Sequence, residues 1–281
     1  MRRAFTVEEN TTLLAFLYEK VSGMPRERIK IQLKRGEVRI CGKKCISDCE
    51  LSVGDVVEIF IPAKFEIPKI EIVYEDDNIL VVDKPVLVES ERQLPELIER
   101  DTGKKVMAVH RLDTNTTGLM ITAKTDIARE TLISAFSRGE ILKTYHALVV
   151  GVPKPDSGRL TAYMLKHDSD SYCSVYSIPR EGTKPIVTEY ETVKGGKISV
   201  VKLSPITGRT HQLRAHLAFM GYPILGDDKY GNREINAERK VRYQQLRATQ
   251  IEFGRLESPL EYLRGKKISV NLGKEISDFL D

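Results

Sequence analysis

No stretch of this sequence approaches the roughly 20 consecutive apolar residues that a membrane helix requires, so no membrane span is expected. The opening MRRAFTVEEN carries two arginines with no apolar segment behind them, which does not read as a secretory signal. Cysteine is scarce: four in 281 residues, with no export signal, read as reduced thiols in a cytoplasmic protein rather than a disulfide framework. Cys41, Cys45 and Cys49 recur every fourth residue, but Gly42 and the alternating apolar residues around them oppose a helix there. With no histidine nearby to complete a tetrahedral set, no metal site is expected. The phosphate-cradling patterns GxxxxGK[ST] and GxGxxG are missing, as are HExxH and GxSxG. His211 and His216 are five apart, a poor helical chelate. Cofactor-dependent chemistry therefore has little to stand on, and neither cofactor nor metal is expected.

What is present is ordinary for a folded protein: 41% hydrophobic and 30% charged residues, a net charge of +4, few aromatics and no tryptophan. A chain of 281 residues exceeds a typical domain of about 100–200, so one large or two unequal domains are expected.

The first sixty residues read as a unit of their own. TVEE at Thr6 to Glu9 matches a capping box, and Leu13, Leu17 and Val21 share the face of a helix behind it. Pro25 suits the first position of a second helix and Gly36 its end, with Ile29 and Leu33 spaced to pack inward. Arg26, Lys30 and Lys34 repeat at four-residue intervals as a basic ridge, flanked by Arg28 and Arg35. The period then changes to two: Val38 and Ile40, a turn at Cys41 to Lys44, then Val57, Ile59 and Ile61. This order, with the phrases GEVRICGKK and VGDVVEIFIP, resembles the alpha-L RNA-binding fold of a small-subunit ribosomal protein. On that resemblance the five basic residues are expected to contact phosphate, giving salt-dependent and sequence-blind affinity; a merely solvated face is the alternative.

Residues 62–70, with two prolines and no clear period, read as a short linker, and the chain divides into 1–62, a linker at 63–70, and 71–281. In the larger part IEIVYEDDNILVVDKP ends a buried strand at Pro85. A helix is expected from Asp126 to Arg138, with Ile127, Thr131, Leu132, Ala135 and Phe136 on one face and Gly139 as its stop. ILKTYHALVVG then alternates as a strand, Lys143 and Tyr145 pointing one way and His146 the other. Strands and single helices mixed irregularly indicate an α+β fold with a mixed, largely antiparallel central sheet and flanking helices, preceded by the small N-terminal unit.

Two stretches carry candidate chemistry. In HRLDTNTTGLMITAKT, His110 to Thr125, Asp113 stands two residues after Arg111, where an aspartate can cap a turn, pair with arginine, bind a metal or attack a substrate. In SPITGRTHQLRAHLAFMGYPILGDDKYG, residues 207–209 read as a turn and Thr210 to Met220 as a helix whose core-facing residues are Leu213, Leu217 and Met220. Arg209 then falls at the helix start, where it can hold a carboxylate bidentately and favour its charged form. From spacing alone a structural Asp–Arg pair is as good a reading as a catalytic one. Tyr145 by itself reads as a half-buried packing residue, His110 and His146 as structural, and Lys84 as facing RNA or solvent.

Taken in order and at their intervals, HRLDTNTTGLMITAKT, KTYHALVVGVP and TGRTHQLRAHLAFMGYPILGDDKYG are similar to the RluA-type family of pseudouridine synthases. YEDDNILVVDKP and QQLRATQIEF resemble that family's opening and closing strands, so the likeness spans nearly the whole chain. It implies a cytoplasmic, monomeric enzyme that isomerises specific uridines in structured ribosomal or transfer RNA without cofactor, metal or membrane. It matches Asp113 to the catalytic aspartate, Tyr145 to the active-site tyrosine, Arg209 to the aspartate's partner and Arg111 to an arginine near the displaced nucleotide. The sequence departs from the family where Thr117 replaces a usual serine, where residues 86–109 lack a glycine and a His-Pro pair, and where Arg247 stands for a common histidine. A non-catalytic RNA-binding protein of the same fold is the alternative; a carboxylate hydrolase would want a second acid in the motifs.

Overall fold

Alternating apolar positions at both ends of the first sixty residues meet across one small sheet. The computed structural model describes residues 2–21, 24–62, 69–167 and 172–280, and the chain divides into two units, Met1–Pro68 and Lys69–Asp281. The first unit runs β1 (Arg2–Thr6), β2 (Thr11–Thr12), α1 (Leu13–Lys20), α2 (Arg26–Lys34), β3 (Val38–Ile40), β4 (Lys43–Cys45), β5 (Glu50–Leu51) and β6 (Val56–Phe60). Its sheet is ordered β1-β6-β3-β4, while β2 pairs with β5. Leu13, Leu17, Ile29, Leu33, Val38, Val57 and Ile59 are buried together, as their spacing predicts. The capping box at Thr6 does not form. Thr6 ends β1, held opposite Val56, and α1 is capped instead by Thr12, whose side chain accepts from the Ala15 N–H. A strand that completes a sheet outweighs a local Thr-x-x-Glu pattern, because cross-strand pairing satisfies the same backbone groups. Pro25 sits one position earlier than expected, as the N-cap of α2. Most of the linker expected at 63–70 lies outside the described residues; Ile70 is buried in the second unit, its N–H donating to Asp101 Oδ2 at 2.8 Å.

The second unit runs β7 (Glu71–Glu75), β8 (Ile79–Lys84), α3 (Gln93–Thr102), β9 (Met107–Ala108), β10 (Thr117–Ala123), α4 (Asp126–Ser137), β11 (Ile141–Val150) and β12 (Ser157–His167). It continues with β13 (Tyr172–Tyr176), β14 (Lys184–Lys194), β15 (Ile198–Pro205), α5 (Gln212–Phe219), α6 (Arg233–Glu238), β16 (Leu246–Phe253), β17 (Lys267–Ser269) and α7 (Lys274–Ser277). The central path is β13-β12-β14-β15-β11-β16-β10-β8-β7, with β9 added beside β10 and β17 beside β16. Of its pairings only β10 with β16 is parallel, so the expected α+β class with a largely antiparallel sheet holds. Among the described residues no helix is long and apolar enough to cross a membrane.

Helix α4 covers one face of the sheet through Ala128, Leu132 and Ala135, which pack on Ile79, Val81, Leu119 and Ile121. Ile127, expected on that face, is exposed. The buried stripe follows i, i+4, i+7 from residue 128, which turns 127 outward. The parallel contact of β10 with β16 is short, pairing Thr117 with Arg247 and Gly118 with Ala248. Gly118 has φ +107°, and a Cβ there would lie 2.1 Å from the Ala248 carbonyl oxygen. Only glycine admits that approach, and it brings the loop before β10, which carries Asp113, against the first residues of β16.

Helix α5 is buried on nearly all sides from Gln212 to Leu217. Its His216 is 1% exposed, with Nδ1 3.1 Å from Thr188 Oγ1, and burial pushes its pKa from 6.5 down to about 4. The unfolded chain protonates this residue as pH falls below about 6.5 whereas the folded one resists until about 4. Stability from this group is therefore complete above pH 6.5 and lost between those values, by about 2 kcal/mol at pH 5. Urea titrations of His216→Gln at pH 7 and pH 5 should show a smaller acid loss than wild type. Equal losses would exclude His216 as the source.

Candidate active site

The loop Leu112–Thr116 has no regular structure, yet it is tied on three sides. Ser90 Oγ donates to the Leu112 carbonyl at 2.7 Å and accepts from the Leu112 N–H at 3.1 Å. Gln244 Nε2 donates to Thr116 Oγ1 at 2.9 Å. Lys84, with no exposed surface, donates to the carbonyls of Pro85, Val88 and Thr114 at 3.0, 2.8 and 3.1 Å. Lys84 thus faces neither RNA nor solvent: three carbonyls replace its water and staple the segment after β8 to the aspartate loop. Burial pulls its pKa down to about 7, against the upward pull of Asp113, Glu89 and Asp83. The segment 86–109, which departs from the resemblance, supplies Ser90 and the Val88 carbonyl, and it folds into α3.

Asp113 emerges from this braced loop with its side chain 19% exposed. Its Oδ2 accepts from Arg214 Nη1 at 3.1 Å, and its Oδ1 lies 4.0 Å from His211 Nε2. The arginine that reaches the aspartate is therefore Arg214, not Arg209. The helix begins two residues later than the sequence suggests, with His211 at its N-cap in the left-handed region at φ +56°. That shift leaves Arg209 exposed on the preceding turn and puts Arg214 in the first turn, inside the unit. Arg214 is a bridge among three acids. Its Nε and Nη2 bind Asp227 at 2.6 and 2.9 Å, and Nη2 also reaches Asp228 at 3.1 Å. Burial alone would lower its pKa, but Asp227 and Asp113 reverse that and raise it. Asp227 is fully buried, which alone would raise its pKa; Arg214 and the N–H groups of Lys229 and Tyr230 hold it below the usual carboxylate range instead.

The remaining wall comes from β11. Alternation places Lys143 and Tyr145 on the same strand face, and both line a cleft of about 140 Å³ with Arg111, Asp113, Arg209, His211 and Arg214. Tyr145 is 5% exposed; burial first, and the charge of Asp113 second, push its phenol up, so it is a neutral O–H donor. Burial lowers the pKa of His211, more than the neighbouring Asp113 raises it. The Nδ1 of His211 lies 3.1 Å from the Tyr230 hydroxyl, which also accepts from the Cys173 N–H. Burial likewise lowers Lys143, whose Nζ lies 5.3 Å from the Phe136 ring centroid. Arg111 stands at the rim, half exposed, with Nη1 3.4 Å from Glu91.

His110 and His146 take the structural places expected of them: His110 Nε2 accepts from the Ile121 N–H at 2.9 Å, and His146 Nδ1 lies 2.9 Å from Thr249 Oγ1. Arg247, in place of the common histidine, pairs with Asp83 and donates to the Asn271 carbonyl at 2.9 Å. Arg26, Arg28, Lys30, Lys34 and Arg35 all belong to the other unit, on α2 and its C-cap. There Lys30 pairs with Glu27 at 3.0 Å and Arg26 lies over the Tyr18 ring.

Sequence reasoning missed Arg214 and the acids Asp227 and Asp228. The signal was present: an arginine inside LRAHL must find buried carboxylates, and GDD lies thirteen residues on. The arrangement offers one carboxylate anchored at a single oxygen, a neutral phenol and several cations around an open cleft. It suits chemistry on a neutral ring attached to an anionic chain.

Comparison with known proteins agrees. The family model described as RNA pseudouridylate synthase matches residues 78–219. The Ribosomal large subunit pseudouridine synthase C of Vibrio vulnificus (strain CMCP6) is 31% identical over 252 residues, covering 79% of this chain and 77% of its own. That of Escherichia coli (strain K12) is 31% identical over 251 residues with the same shares. Among solved structures, human RNA Pseudouridylate Synthase Domain Containing 4 matches with a TM-score of 0.61 and 26% identity, over 75% of this chain and 91% of its own.

Proposed function

Because this chain belongs to the RNA pseudouridylate synthase family, and so is an enzyme that isomerises uridine in RNA to pseudouridine, we propose that Asp113 is the carboxylate that carries the reaction. The observation behind the proposal is its placement: a partly exposed carboxylate, held at Oδ2 by the buried Arg214, opening on the cleft beside Tyr145. The isomerisation breaks the bond from C1′ to N1, turns the uracil and joins C1′ to C5; the C5 proton leaves and N1 gains one. Electrons balance within the substrate, so no cofactor is called for. Asp113 either forms a covalent bond to the sugar or base, or removes a sugar proton to give a glycal. Arg214, rather than Arg209, orients it. Tyr145 faces the detached uracil and relays a proton. Arg111 fills the gap left by the flipped nucleotide, offsetting part of the few kcal/mol that unstacking costs, and Arg209 contacts phosphate at the rim.

The substrate is ribosomal RNA of the large subunit, as the names of the relatives say of those proteins, and the enzyme works as a monomer in the cytoplasm. The first unit, 1–62, is an alpha-L RNA-binding domain that adds phosphate contacts from α2. Tyr145→Phe keeps the ring that packs in the cleft but removes the O–H. Tritium release from ribosomal RNA labelled at uridine C5 should fall about a hundredfold or more with this variant, the usual worth of a positioned proton relay. Wild type should release tritium from ribosomal RNA and not from transfer RNA. The reverse preference would sink the substrate assignment, and an unaltered rate would reduce Tyr145 to packing.

A further inference from the structure

We infer that the N-terminal unit holds a binding cleft for one unstacked nucleotide of single-stranded RNA, gripped through a base on Phe60 and phosphates on Arg28 and Arg35. The inference rests on the reading of this unit as RNA-binding and places the contact on the flank of α2 rather than along its basic ridge. Arg28, Ile31, Gln32 and Arg35 follow i, i+3, i+4, i+7 and so form one stripe. That stripe faces the end of β6, where Phe60 pairs across the sheet with Arg2. Together these residues line a cavity of about 400 Å³, within the range of small-ligand sites.

Three features make this a site rather than a gap. Phe60 is 44% exposed and offers a ring that any base can stack on. Arg28 and Arg35 are exposed and have no ion pair among the described residues, and Arg2 meets Glu58 only at 3.8 Å. Three guanidinium groups stand against Glu37 alone on the lining, which favours a polyanion. Finally, Gln32 is 7% exposed, and its Nε2 donates to the Phe60 carbonyl at 2.9 Å. That bond fixes the amide's orientation, because a carbonyl oxygen accepts and does not donate. It leaves Gln32 Oε1 buried with no partner among the described residues. Gln32 thus ties α2 to the Phe60 backbone and fixes two walls of the cleft, and a base reaches the Phe60 ring only with its own face uncovered, as in an unpaired strand.

The test uses the whole 281-residue chain, a labelled oligouridylate of about eight nucleotides and a blunt RNA duplex. Phe60→Leu should weaken oligouridylate binding at least about fivefold, the low end of what one base–aromatic stack is worth, and Phe60→Trp should restore it. Duplex affinity should not respond to either change. Arg28→Gln with Arg35→Gln should lower the slope of log K against log salt by about 1.4, or about 0.7 for each phosphate no longer neutralised. Equal binding by Phe60→Leu, Phe60→Trp and wild type would overturn the inference. So would competition by a polyglutamate peptide as effective as that by oligouridylate, which would mark the cleft as a seat for an acidic protein segment. Tritium release measured in parallel keeps the outcomes apart: if it persists and still requires Asp113 while the cleft variants bind normally, the cleft fails and the catalytic reading stands.

Discussion

Asp113→Asn abolishes tritium release from C5-labelled RNA, by at least about a thousandfold, while the protein folds and binds RNA as before. The substitution is nearly isosteric, and an amide oxygen can still accept from Arg214 Nη1, as Oδ2 does at 3.1 Å. The loop itself is braced by Ser90, Lys84 and Gln244 through groups other than the Asp113 carboxylate. The buried cation keeps Asp227 and Asp228 as partners, so no uncompensated charge is created. What disappears is the negative charge and the basicity on which either chemical route depends. Loss of such a group costs about 10²–10⁴ when it acts as acid or base, and as much or more when it is the nucleophile. RNA affinity within a few-fold of wild type, read by filter binding, separates lost chemistry from lost binding. Residual turnover near the wild-type rate would place the reaction on another group.

Arg214 variants carry the second large effect, and it is one of stability as well as rate. Replacing Arg214 by glutamine leaves Asp227, which has no exposed surface, without its bidentate partner. Breaking a buried pair in this way costs about 3–5 kcal/mol, a large part of the roughly 5–15 kcal/mol by which a domain is stable. Arg214→Lys is the more informative change. An ammonium keeps the charge but has no planar fork, so it cannot hold both oxygens of Asp227 and still reach Asp113. This variant should fold with a lowered urea midpoint and lose tritium release by a factor of about 10² or more, the cost of a displaced catalytic group. Arg209→Gln, on the exposed turn, should keep both stability and turnover on saturating RNA and weaken RNA binding alone. If Arg209→Gln stopped turnover at unchanged affinity while Arg214→Lys did not, the pairing expected from the sequence would be restored.

The difference between those two arginines shows where local pattern stops being informative. TGRTHQLR offers a turn, two arginines and a helix start, and a dipole argument favours whichever arginine begins the helix. The chain instead caps α5 with His211 in a left-handed conformation, uncommon for a non-glycine residue although histidine enters it more readily than most. Tertiary packing supports it: the His211 ring lies edge-on to Tyr230, 5.7 Å between centroids. The same kind of override moves the first helix cap from Thr6 to Thr12, because sheet pairing claims the earlier threonine. Tyr145 is the opposite case. Strand alternation alone puts it on the face of Lys143, and that face lines the cleft.

Local pattern was enough for the α+β class, for the positions of α2, α4 and β11 to within a residue or two, and for the three ordered motifs that mark a family of uridine-isomerising enzymes. These are properties of period, punctuation and spacing, which act over a few residues and survive without knowledge of the rest of the chain. Packing of the folded chain was needed to see which arginine faces Asp113, that Lys84 is a buried staple, and that Arg28, Gln32, Arg35 and Phe60 surround one cleft. Each of those depends on which backbone carbonyls, carboxylates or strands lie opposite. A charge or an amide removed from water takes whatever partner the packed chain brings within about 3 Å, and no local pattern records that distance.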